Sequence, residues 1–380
     1  MRNMPQNYRL ESDEDGLKEL TSPDHGGEIW KVSMELGVVP NKLLDFSANV
    51  NPLGCSPLAK MAVKRSLGLV SFYPDNECTE LRRAIASYIR KKIEPANILV
   101  GNGATEIIHL FARAFIKNGC DAIVTQPTFS EYEYATLLQR GNPIHAMRLE
   151  NFELDPEMLF KNMTGRTSAL FICNPNNPTG TTQERRIIEK IVQEAANANV
   201  MVLLDECFVD FVKDQSKVSL SSVVRKYRNL VVLRSLTKTF GLAGLRAGYA
   251  IGHEATVRLL EKQKITWSVN TFAQIAAIAA LKDMKFLERS LQLVKKERAF
   301  LERTLRELGM EVMPSEANFL LARLHGRVDA GELKMRLMKR RIVIRDCSRF
   351  RGLGSQFIRL AVKTRQENEA LLHALRQELL

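Results

Sequence analysis

A lysine at position 238 lies in a segment whose residue types suit a nucleophilic amine. It follows an apolar run, residues 230–234, and stands in the sequence Arg-Ser-Leu-Thr-Lys-Thr-Phe-Gly-Leu-Ala-Gly-Leu-Arg, residues 234–246. An exposed lysine is a poor nucleophile at neutral pH because its pKa is about 10.4. Burial or a neighbouring cation lowers that pKa, and Lys238 can then form a Schiff base with a carbonyl. A solvated lysine in a surface loop is the alternative, but the whole cluster favours a reactive amine.

Two segments offer hydrogen-bond donors to a phosphate group. The sequence Gly-Asn-Gly-Ala-Thr-Glu, residues 101–106, opens a helix after a strand, and the N–H groups at such a helix start favour anions. The second segment surrounds Lys238, where hydroxyls and glycines precede a guanidinium that can place two donors on one phosphate. A lone Gly-x-Gly is weak by itself, so the prediction depends on both segments. The candidate phosphate donors are Gly103, Ala104, Thr105, Ser235, Thr237 and Arg246.

Three more residues suit contacts with a flat, nitrogen-containing ring. Asp205 ends an apolar run in Leu-Leu-Asp-Glu-Cys-Phe, where a buried acid needs a partner such as a protonated pyridine nitrogen. Asn177, in Cys-Asn-Pro-Asn-Asn-Pro-Thr-Gly, offers an amide to a ring oxygen, and Phe129 offers a face for stacking. A strand-end or N-cap residue, a structural turn and core packing are the respective alternatives. Together with Lys238, the set indicates pyridoxal 5′-phosphate (PLP) as cofactor.

These residues need a scaffold that brings them together, and the sequence predicts an α/β fold. Short apolar runs alternate with helical patterns, which is typical of a mainly parallel sheet covered on both faces. Such sheets bind ligands at the carboxyl ends of their strands, and the motifs stand at or just beyond those ends. The predicted strands are residues 98–100, 122–125, 169–173, 200–204 and 230–234.

The last hundred residues predict a smaller α+β domain, with a long charged helix over residues 281–308 and strands at 318–323, 342–345 and 357–362. Residues 43–47 are expected to join this domain. The predicted organisation is a polar N-terminal extension at 1–20, an N-terminal arm and part of the small domain at 21–55, a large PLP-binding domain at 56–280 and a C-terminal small domain at 281–380.

Composition limits the class of protein. The chain has 380 residues, of which 45% are hydrophobic and 26% charged, as in ordinary globular proteins. No segment approaches the roughly 20 apolar residues of a membrane span, and the start lacks a secretory signal, so we expect a cytoplasmic protein with no membrane partner. The net charge of +12 is spread over amphipathic stretches, which argues against a nucleic-acid partner. The six cysteines show no metal-ligand spacing, so we expect reduced thiols and no metal.

Taken in their order along the chain, the motifs resemble those of the fold-type I PLP enzymes of the aspartate aminotransferase superfamily. The resemblance covers nearly the whole chain after about His25. The eight residues from Lys238 to Arg246 match that family's spacing. The resemblance implies that Lys238 carries PLP and that Asp205 pairs with its ring nitrogen. Tyr73, in Ser-Phe-Tyr-Pro-Asp, resembles the tyrosine that reaches the cofactor phosphate of a second subunit, which implies a homodimer with shared active sites.

Within that superfamily, the sequence Asp-His-Gly-Gly at 24–27 and the sequence Leu-Asp-Phe-Ser-Ala-Asn-Val-Asn-Pro-Leu-Gly at 44–54 resemble the threonine-phosphate decarboxylases of the cobalamin pathway. Residues 267–270 and 344–347 resemble the same group. Phe208 stands where many of the aminotransferases carry a tyrosine, which removes a hydroxyl near the ring oxygen. The implied reaction is decarboxylation of L-threonine O-3-phosphate to (R)-1-amino-2-propanol O-2-phosphate.

The implied substrate carries a carboxylate and a phosphate and therefore needs cationic and hydrogen-bonding partners. The candidate substrate-binding residues are His25, Gly26, Gly27, Asn49, Asn177, Arg345 and Arg359. Three other functions stay open at this point: a histidinol-phosphate-type aminotransferase, an L-serine O-phosphate decarboxylase and a non-catalytic PLP-fold binding protein.

Overall fold

The computed structural model describes residues 23–89 and 92–379, so the predicted extension at residues 1–20 lies outside the described residues. A seven-stranded sheet with the order β2-β8-β7-β6-β5-β3-β4 forms the centre of the molecule. Its strands are β2 (Ile98–Asn102), β3 (Asp121–Gln126), β4 (Asn142–Met147), β5 (Thr167–Cys173), β6 (Met201–Asp205), β7 (Leu230–Ser235) and β8 (Ala247–Gly252).

The sheet forms because its strands are apolar on both faces. Every residue of β3, β7 and β8 is buried. Side chains alternate between two apolar clusters, with Val202 and Leu204 in one and Leu203 in the other, as the pleat of a strand requires. Helices cover the two faces, which is the arrangement expected of a largely parallel sheet.

The predicted mainly parallel sheet is confirmed, with one strand of opposite direction. β8 runs antiparallel to both of its neighbours, β2 and β7, while the pairs among β3 to β7 are parallel. All five strands predicted from apolar runs are present, each within two residues of its predicted bounds. β4 and β8 were not predicted, because β4 is half-polar and β8 contains two glycines that weaken a strand pattern.

Helices connect these strands and pack on the sheet. In chain order they are α1 (Ile29–Leu36), α2 (Pro57–Arg65), α3 (Thr79–Ile89), α4 (Gly103–Phe115), α5 (Glu131–Leu138), α6 (Pro156–Asn162), α7 (Arg185–Asn197), α8 (Leu236–Thr239), α9 (Glu254–Glu261), α10 (Thr271–Ala280), α11 (Met284–Glu307), α12 (Ala330–Lys339) and α13 (Arg365–Leu379). Short 3₁₀ turns complete the connections. Within the described residues no helix is both long enough and apolar enough to span a membrane.

A second, antiparallel sheet lies in the C-terminal part, in the order β12-β13-β10-β9. Its strands are β9 (Glu311–Val312), β10 (Phe319–Arg323), β12 (Arg345–Asp346) and β13 (Phe357–Ala361). The strand predicted at 342–345 is divided: β11 (Ile342–Val343) pairs with β1 (Leu44–Asp45), whereas β12 pairs with β13. β1, which lies within the predicted segment 43–47, thus pairs with a strand of the C-terminal part.

The helix α11 joins the two parts of the molecule. Its Leu287 packs in one cluster on the central sheet, Val294 in the other, and Leu301 in the C-terminal cluster around β10 and β13. The boundary predicted near residue 280 therefore stays a prediction, because one continuous helix contributes to all three clusters.

Candidate active site

A cavity of about 260 Å³ opens at the carboxyl ends of β5, β6 and β7, where ligands of such sheets bind. It receives side chains from the central sheet, from the C-terminal sheet and from the segment before α1. The predicted site residues that line it are His25, Gly26, Asn49, Ala104, Thr105, Phe129, Asn177, Asp205, Ser235, Thr237, Lys238, Arg246, Arg345 and Arg359. Residues that lie far apart in the sequence thus meet at one cavity.

Three predicted residues do not line the cavity. Gly27 lies behind it, where its N–H donates to the Ser47 hydroxyl at 2.9 Å. Gly103 lies under Arg246, and a methyl group in place of its hydrogen would approach the guanidinium to 2.4 Å. Tyr73 is 79% exposed and stacks on Trp267, with ring centroids 4.4 Å apart. The contact of Tyr73 with a second subunit stays a prediction.

Lys238 lies in α8, the single helical turn that follows β7. The Ser235 hydroxyl accepts the Thr237 N–H at 3.2 Å and so caps this turn, which directs the lysine into the cavity. Burial, followed by the nearby guanidiniums of Arg359 and Arg246, lowers the pKa of the Lys238 amine to about 8. The amine is therefore neutral more often than that of an exposed lysine, as a nucleophile requires.

Asp205, the last residue of β6, is buried at the floor of the cavity. One carboxylate oxygen accepts the Tyr132 hydroxyl at 2.7 Å, and the other accepts the Cys207 N–H at 2.9 Å. Burial raises the pKa of this carboxyl, and those hydrogen bonds together with Lys238 partly offset the rise. An acid in this position is stabilised by a cationic partner in the cavity, such as a protonated ring nitrogen.

Tyr132 was not predicted as a site residue. Its ring stacks on Phe171 at 5.2 Å and is fully buried, so its pattern in the sequence is that of a core residue. The signal that was present is chemical: a tyrosine on an apolar helix face needs a partner for its hydroxyl. The identity of that partner, Asp205, is visible only in the tertiary structure.

An anion site lies at the start of α4. Gly103 has φ of +80°, and Gly248 of β8 allows the helix start to approach so closely that a methyl group there would lie 2.5 Å from the Ala104 nitrogen. The N–H groups of this helix start, the hydroxyls of Ser235 and Thr237, and Arg246 converge on the cavity. Backbone N–H groups and a guanidinium in this arrangement favour a phosphate.

Two arginines form a second cationic region. Arg345 and Arg359 are each 5% exposed and stand directly opposite each other on the paired strands β12 and β13. Arg345 donates to the backbone oxygen of Asp24 at 2.5 Å and pairs with its carboxylate at 3.1 Å. Arg359 has only neutral partners, the Asn177 side-chain oxygen at 2.5 Å and the Ser47 carbonyl at 2.7 Å.

The electrostatics of this pair point to an anionic ligand. Burial lowers the pKa of Arg359 to about 10, and Arg345 contributes to the lowering. The Arg359 Nε has no hydrogen-bond partner within the described residues, and neither has the side-chain oxygen of the buried Asn49. Unpaired buried donors and acceptors are costly, so ligand atoms are their expected partners.

The segment before α1 closes one side of the cavity. His25 Nε2 lies 2.5 Å from a carboxylate oxygen of Glu131, whose other oxygen lies 2.9 Å from His109 Nε2. Glu131 was not predicted as a site residue. In the sequence it is an acidic residue in the first turn of a helix, a position that acids commonly occupy for reasons of helix stability alone.

These residues fit PLP. The amine of Lys238 suits its aldehyde, Asp205 suits its ring nitrogen, and the start of α4 suits its phosphate. Phe129 forms a wall for the ring, and the amide of Asn177 faces the same cavity. All six cysteines are free thiols, and two of them, Cys173 and Cys207, line the cavity without an assigned role.

Comparison with known proteins identifies the family. Residues 41–375 match the model of aminotransferase class I and II. Threonine-phosphate decarboxylase of Salmonella typhimurium is 35% identical over 95% of this chain and 98% of its own. Histidinol-phosphate aminotransferase of Moorella thermoacetica is 34% identical over 93% of this chain and 89% of its own. The crystal structure of the histidinol-phosphate aminotransferase from Clostridium acetobutylicum superposes with a TM-score of 0.82 at 31% identity, covering 88% of this chain and 99% of that one.

The family match and the superposition confirm the predicted fold-type I architecture, and the cofactor is PLP. The relatives include both decarboxylases and aminotransferases, so they fix the family and leave the reaction to be inferred from the site. The chain belongs to the aminotransferase class I and II family of PLP-dependent enzymes.

Proposed function

We propose that this chain is a PLP-dependent carboxy-lyase that converts L-threonine O-3-phosphate into (R)-1-amino-2-propanol O-2-phosphate and carbon dioxide. This reaction supplies the linker of the nucleotide loop in cobalamin synthesis. The observation that carries the proposal is the pair of buried arginines, Arg345 and Arg359, in the same cavity as Lys238.

Two like charges directly opposite on paired strands destabilise a sheet. Arg359 is also buried with only neutral partners, where an unpaired charge costs more. A substrate with two anionic groups relieves both penalties, because Arg359 gains a charge-assisted hydrogen bond and Arg345 gains a second anion beside Asp24. An amino acid that bears a phosphate has these two groups.

The residues of the cavity bind and orient the substrate. Arg359 is the proposed partner of the substrate carboxylate, since its partners in the structure are neutral. Arg345 is the proposed second anion-binding residue, and the phosphate is enclosed by His25, Gly26 and Asn49. Gly27 holds this segment in place because its N–H donates to the Ser47 hydroxyl. Fixed contacts of this kind decide which bond of the substrate is aligned for cleavage.

Two side chains hold or transfer protons in the proposed reaction. Asp205, fixed by Tyr132, would hold the proton on the ring nitrogen of the cofactor. When bound, PLP supplies an electron sink for the pair of electrons that the departing carbon dioxide leaves behind. As a free amine, Lys238 would deliver a proton from Nζ to the former Cα, for which a pKa of about 8 is suited.

Phe208 agrees with a decarboxylase. Its ring lines the cavity, packs edge-on against Phe319 with centroids 5.0 Å apart, and lies 5.9 Å from the Lys238 amine. A phenylalanine here offers no hydroxyl to the ring oxygen or to the lysine. Transamination, which removes a proton from Cα, would therefore have one hydroxyl fewer to assist it in this cavity.

A product assay distinguishes the proposed reaction from its alternatives. The purified holoenzyme is incubated with L-threonine O-3-phosphate alone, with L-serine O-phosphate alone, and with histidinol phosphate plus 2-oxoglutarate. We expect carbon dioxide and aminopropanol phosphate from the first, and slower release from the second, because one methyl group is worth about 1–3 kcal/mol in a pocket. Glutamate formation from histidinol phosphate, without carbon dioxide from either phosphorylated amino acid, would reject the decarboxylase. Absence of turnover with all three would support a binding protein.

A cytoplasmic homodimer is the proposed state of the enzyme. The cytoplasmic location is inferred from the amino-acid sequence, and the dimer from the exposed Tyr73 and its apolar neighbours.

A further inference from the structure

A buried carboxylate, Glu131, bridges two histidines in the wall of the cavity. It is 5% exposed, and its two oxygens lie 2.5 Å from His25 Nε2 and 2.9 Å from His109 Nε2. Burial opposes the ionised form of this acid, but the hydrogen bonds from His109 and His25 outweigh burial and lower its pKa to about 2. Glu131 is therefore an anion in a cavity that otherwise favours anionic ligands.

The bridge fixes the tautomer of His25. An ionised carboxylate only accepts hydrogen bonds, so Nε2 of His25 is the nitrogen that carries the donated hydrogen. Nδ1 is then the nitrogen left for a ligand. The ring is also held from the side by Phe129, with centroids 5.3 Å apart. His25 thus has one defined orientation and one free nitrogen.

The neighbours of His25 in the chain place it between the two arginines. Asp24, the preceding residue, contacts Arg345. At Gly26, the following residue, an added methyl group would lie 3.2 Å from an Arg359 nitrogen. A ligand that contacts both guanidiniums therefore lies next to His25, which lines the same cavity.

We propose that Glu131 is a positioning residue that holds His25 as a hydrogen-bond partner for the phosphate of a doubly charged phosphate monoester. This inference rests on the proposed function, since it identifies the residue that makes the site selective for a phosphorylated amino acid. In its doubly protonated form the His25 ring donates through Nε2 to Glu131 and through Nδ1 to a phosphate oxygen, and Glu131 keeps the imidazole turned so that Nδ1 meets the phosphate. The second oxygen of Glu131 is held by His109, so only one carboxylate oxygen faces His25.

Isothermal titration of the holoenzyme with inorganic phosphate tests the proposal, because PLP already fills the cofactor's own phosphate site. We expect Glu131→Gln to weaken phosphate binding by about tenfold, the effect of about 1.4 kcal/mol. Glu133→Gln is the matched control: Glu133 lies on the same helix and also faces a histidine, His145 at 3.6 Å, but does not line the catalytic cavity. This variant should bind phosphate as the wild type does.

The coupling between the two residues separates positioning from general stability. His25→Ala should weaken phosphate binding by a similar factor, and Glu131→Gln added to it should weaken binding no further. Binding of L-threonine, which lacks the phosphate, should change by less than about twofold in each variant. Glu131→Asp, which keeps the charge, should recover part of the affinity.

The proposal is overturned if the two substitutions are additive, or if Glu131→Gln weakens L-threonine and phosphate equally. Unchanged phosphate affinity in His25→Ala overturns it as well, whether or not the Glu131 variants fold. Because binding is measured without turnover, the outcome is independent of the reaction. A protein that binds phosphate through His25 but releases no carbon dioxide contradicts the proposed function and leaves this inference standing.

Discussion

The hydroxyl of Tyr132 contributes to the site only through Asp205. We expect Tyr132→Phe to lower kcat by about tenfold with little change in KM, because the ring still fills its place against Phe171 while the carboxylate loses one of its two hydrogen bonds. That hydrogen bond opposes the rise in the pKa of Asp205, so its removal leaves the acid less able to hold a proton on the ring nitrogen. Steady-state kinetics measure both constants.

Tyr227→Phe is the control for that substitution. It removes a tyrosine hydroxyl that donates to the Glu189 carboxylate at 3.1 Å, away from the cavity. Equal losses of kcat in the two variants would mean that the Tyr132 hydroxyl serves stability and not the site.

The depressed pKa of Lys238 predicts a pH-dependent stability of the cofactor-free protein. Between about pH 8 and pH 10.4 the unfolded chain binds more protons at this amine than the folded chain, so stability rises with pH across that window. Lys238→Met should therefore be more stable than the wild type below pH 8. The gap is about 1–2 kcal/mol, less than the full shift implies because the side chain is only half-buried, and it closes towards pH 10.4.

Urea unfolding of both apoproteins at pH 7, 9 and 10.4 measures this difference. A gap that stays constant over the three pH values would show that the Lys238 amine is not perturbed by the fold.

At the scale of elements, the contact between β8 and the start of α4 positions the predicted cofactor phosphate. Gly248→Ala would bring a methyl group to 2.5 Å from the Ala104 nitrogen and 2.7 Å from the Gly103 carbonyl carbon. We expect a loss of about 1–3 kcal/mol in the free energy of unfolding and a clear loss of PLP affinity, because the helix start has to move. Equilibrium unfolding and cofactor titration measure the two effects.

Gly252→Ala, on the same strand, is the control. Its added methyl group would have its nearest neighbours at 3.5 Å, so it should be tolerated with PLP affinity unchanged. If both alanine variants bind PLP like the wild type, the close approach of β8 to α4 does not position the phosphate site.

The elements that were predictable are those with a strong local pattern. The runs that became β3, β5, β6 and β7 are apolar on both faces, which is typical of covered strands in a largely parallel sheet. β8 was missed because its position is stabilised by close packing on α4, which its own sequence, Ala-Gly-Tyr-Ala-Ile-Gly, does not display. Ile344 separates β11 from β12, and only the partner strands reveal that break.

The same distinction applies to the site. Lys238 and Asp205 were predictable because reactive or charged residues at the ends of apolar strands are chemically conspicuous. Tyr132 and Glu131 were not, because one has the pattern of a core residue and the other that of an ordinary helix start. Their roles depend on partners 73 and 106 residues away, Asp205 and His25, and only the tertiary fold brings these together.

At the scale of the whole molecule, an exposed apolar surface surrounds Tyr73. Val70 and Phe72 are 73% and 68% exposed, and Trp267 lies against the Tyr73 ring. Exposed apolar surface of this kind favours a partner, and a twofold dimer is the commonest one. This supports the predicted homodimer in which Tyr73 completes the site of the other subunit.

Hybrid dimers test that arrangement. We expect Lys238→Ala and Tyr73→Ala to be inactive or nearly so alone, since each lacks part of every site. After unfolding and refolding together, about a quarter of the wild-type activity should return, because half of the dimers are hybrids and each hybrid has one intact site. No recovery in the mixture, with dimers shown by gel filtration, would place Tyr73 in the site of its own subunit, and an active Tyr73→Ala variant would place it outside both.

The reaction itself is tested most directly by following the carboxyl carbon and the new hydrogen of one substrate. The holoenzyme is incubated with L-threonine O-3-phosphate labelled with ¹³C in the carboxyl group, in D₂O and without any oxo acid, and the products are analysed by mass spectrometry. The predicted result is labelled carbon dioxide in equal amount to an unlabelled aminopropanol phosphate that carries one deuterium on the former Cα. Label that stays in an oxo acid, or a substrate that only exchanges its Cα hydrogen for deuterium, would contradict decarboxylation.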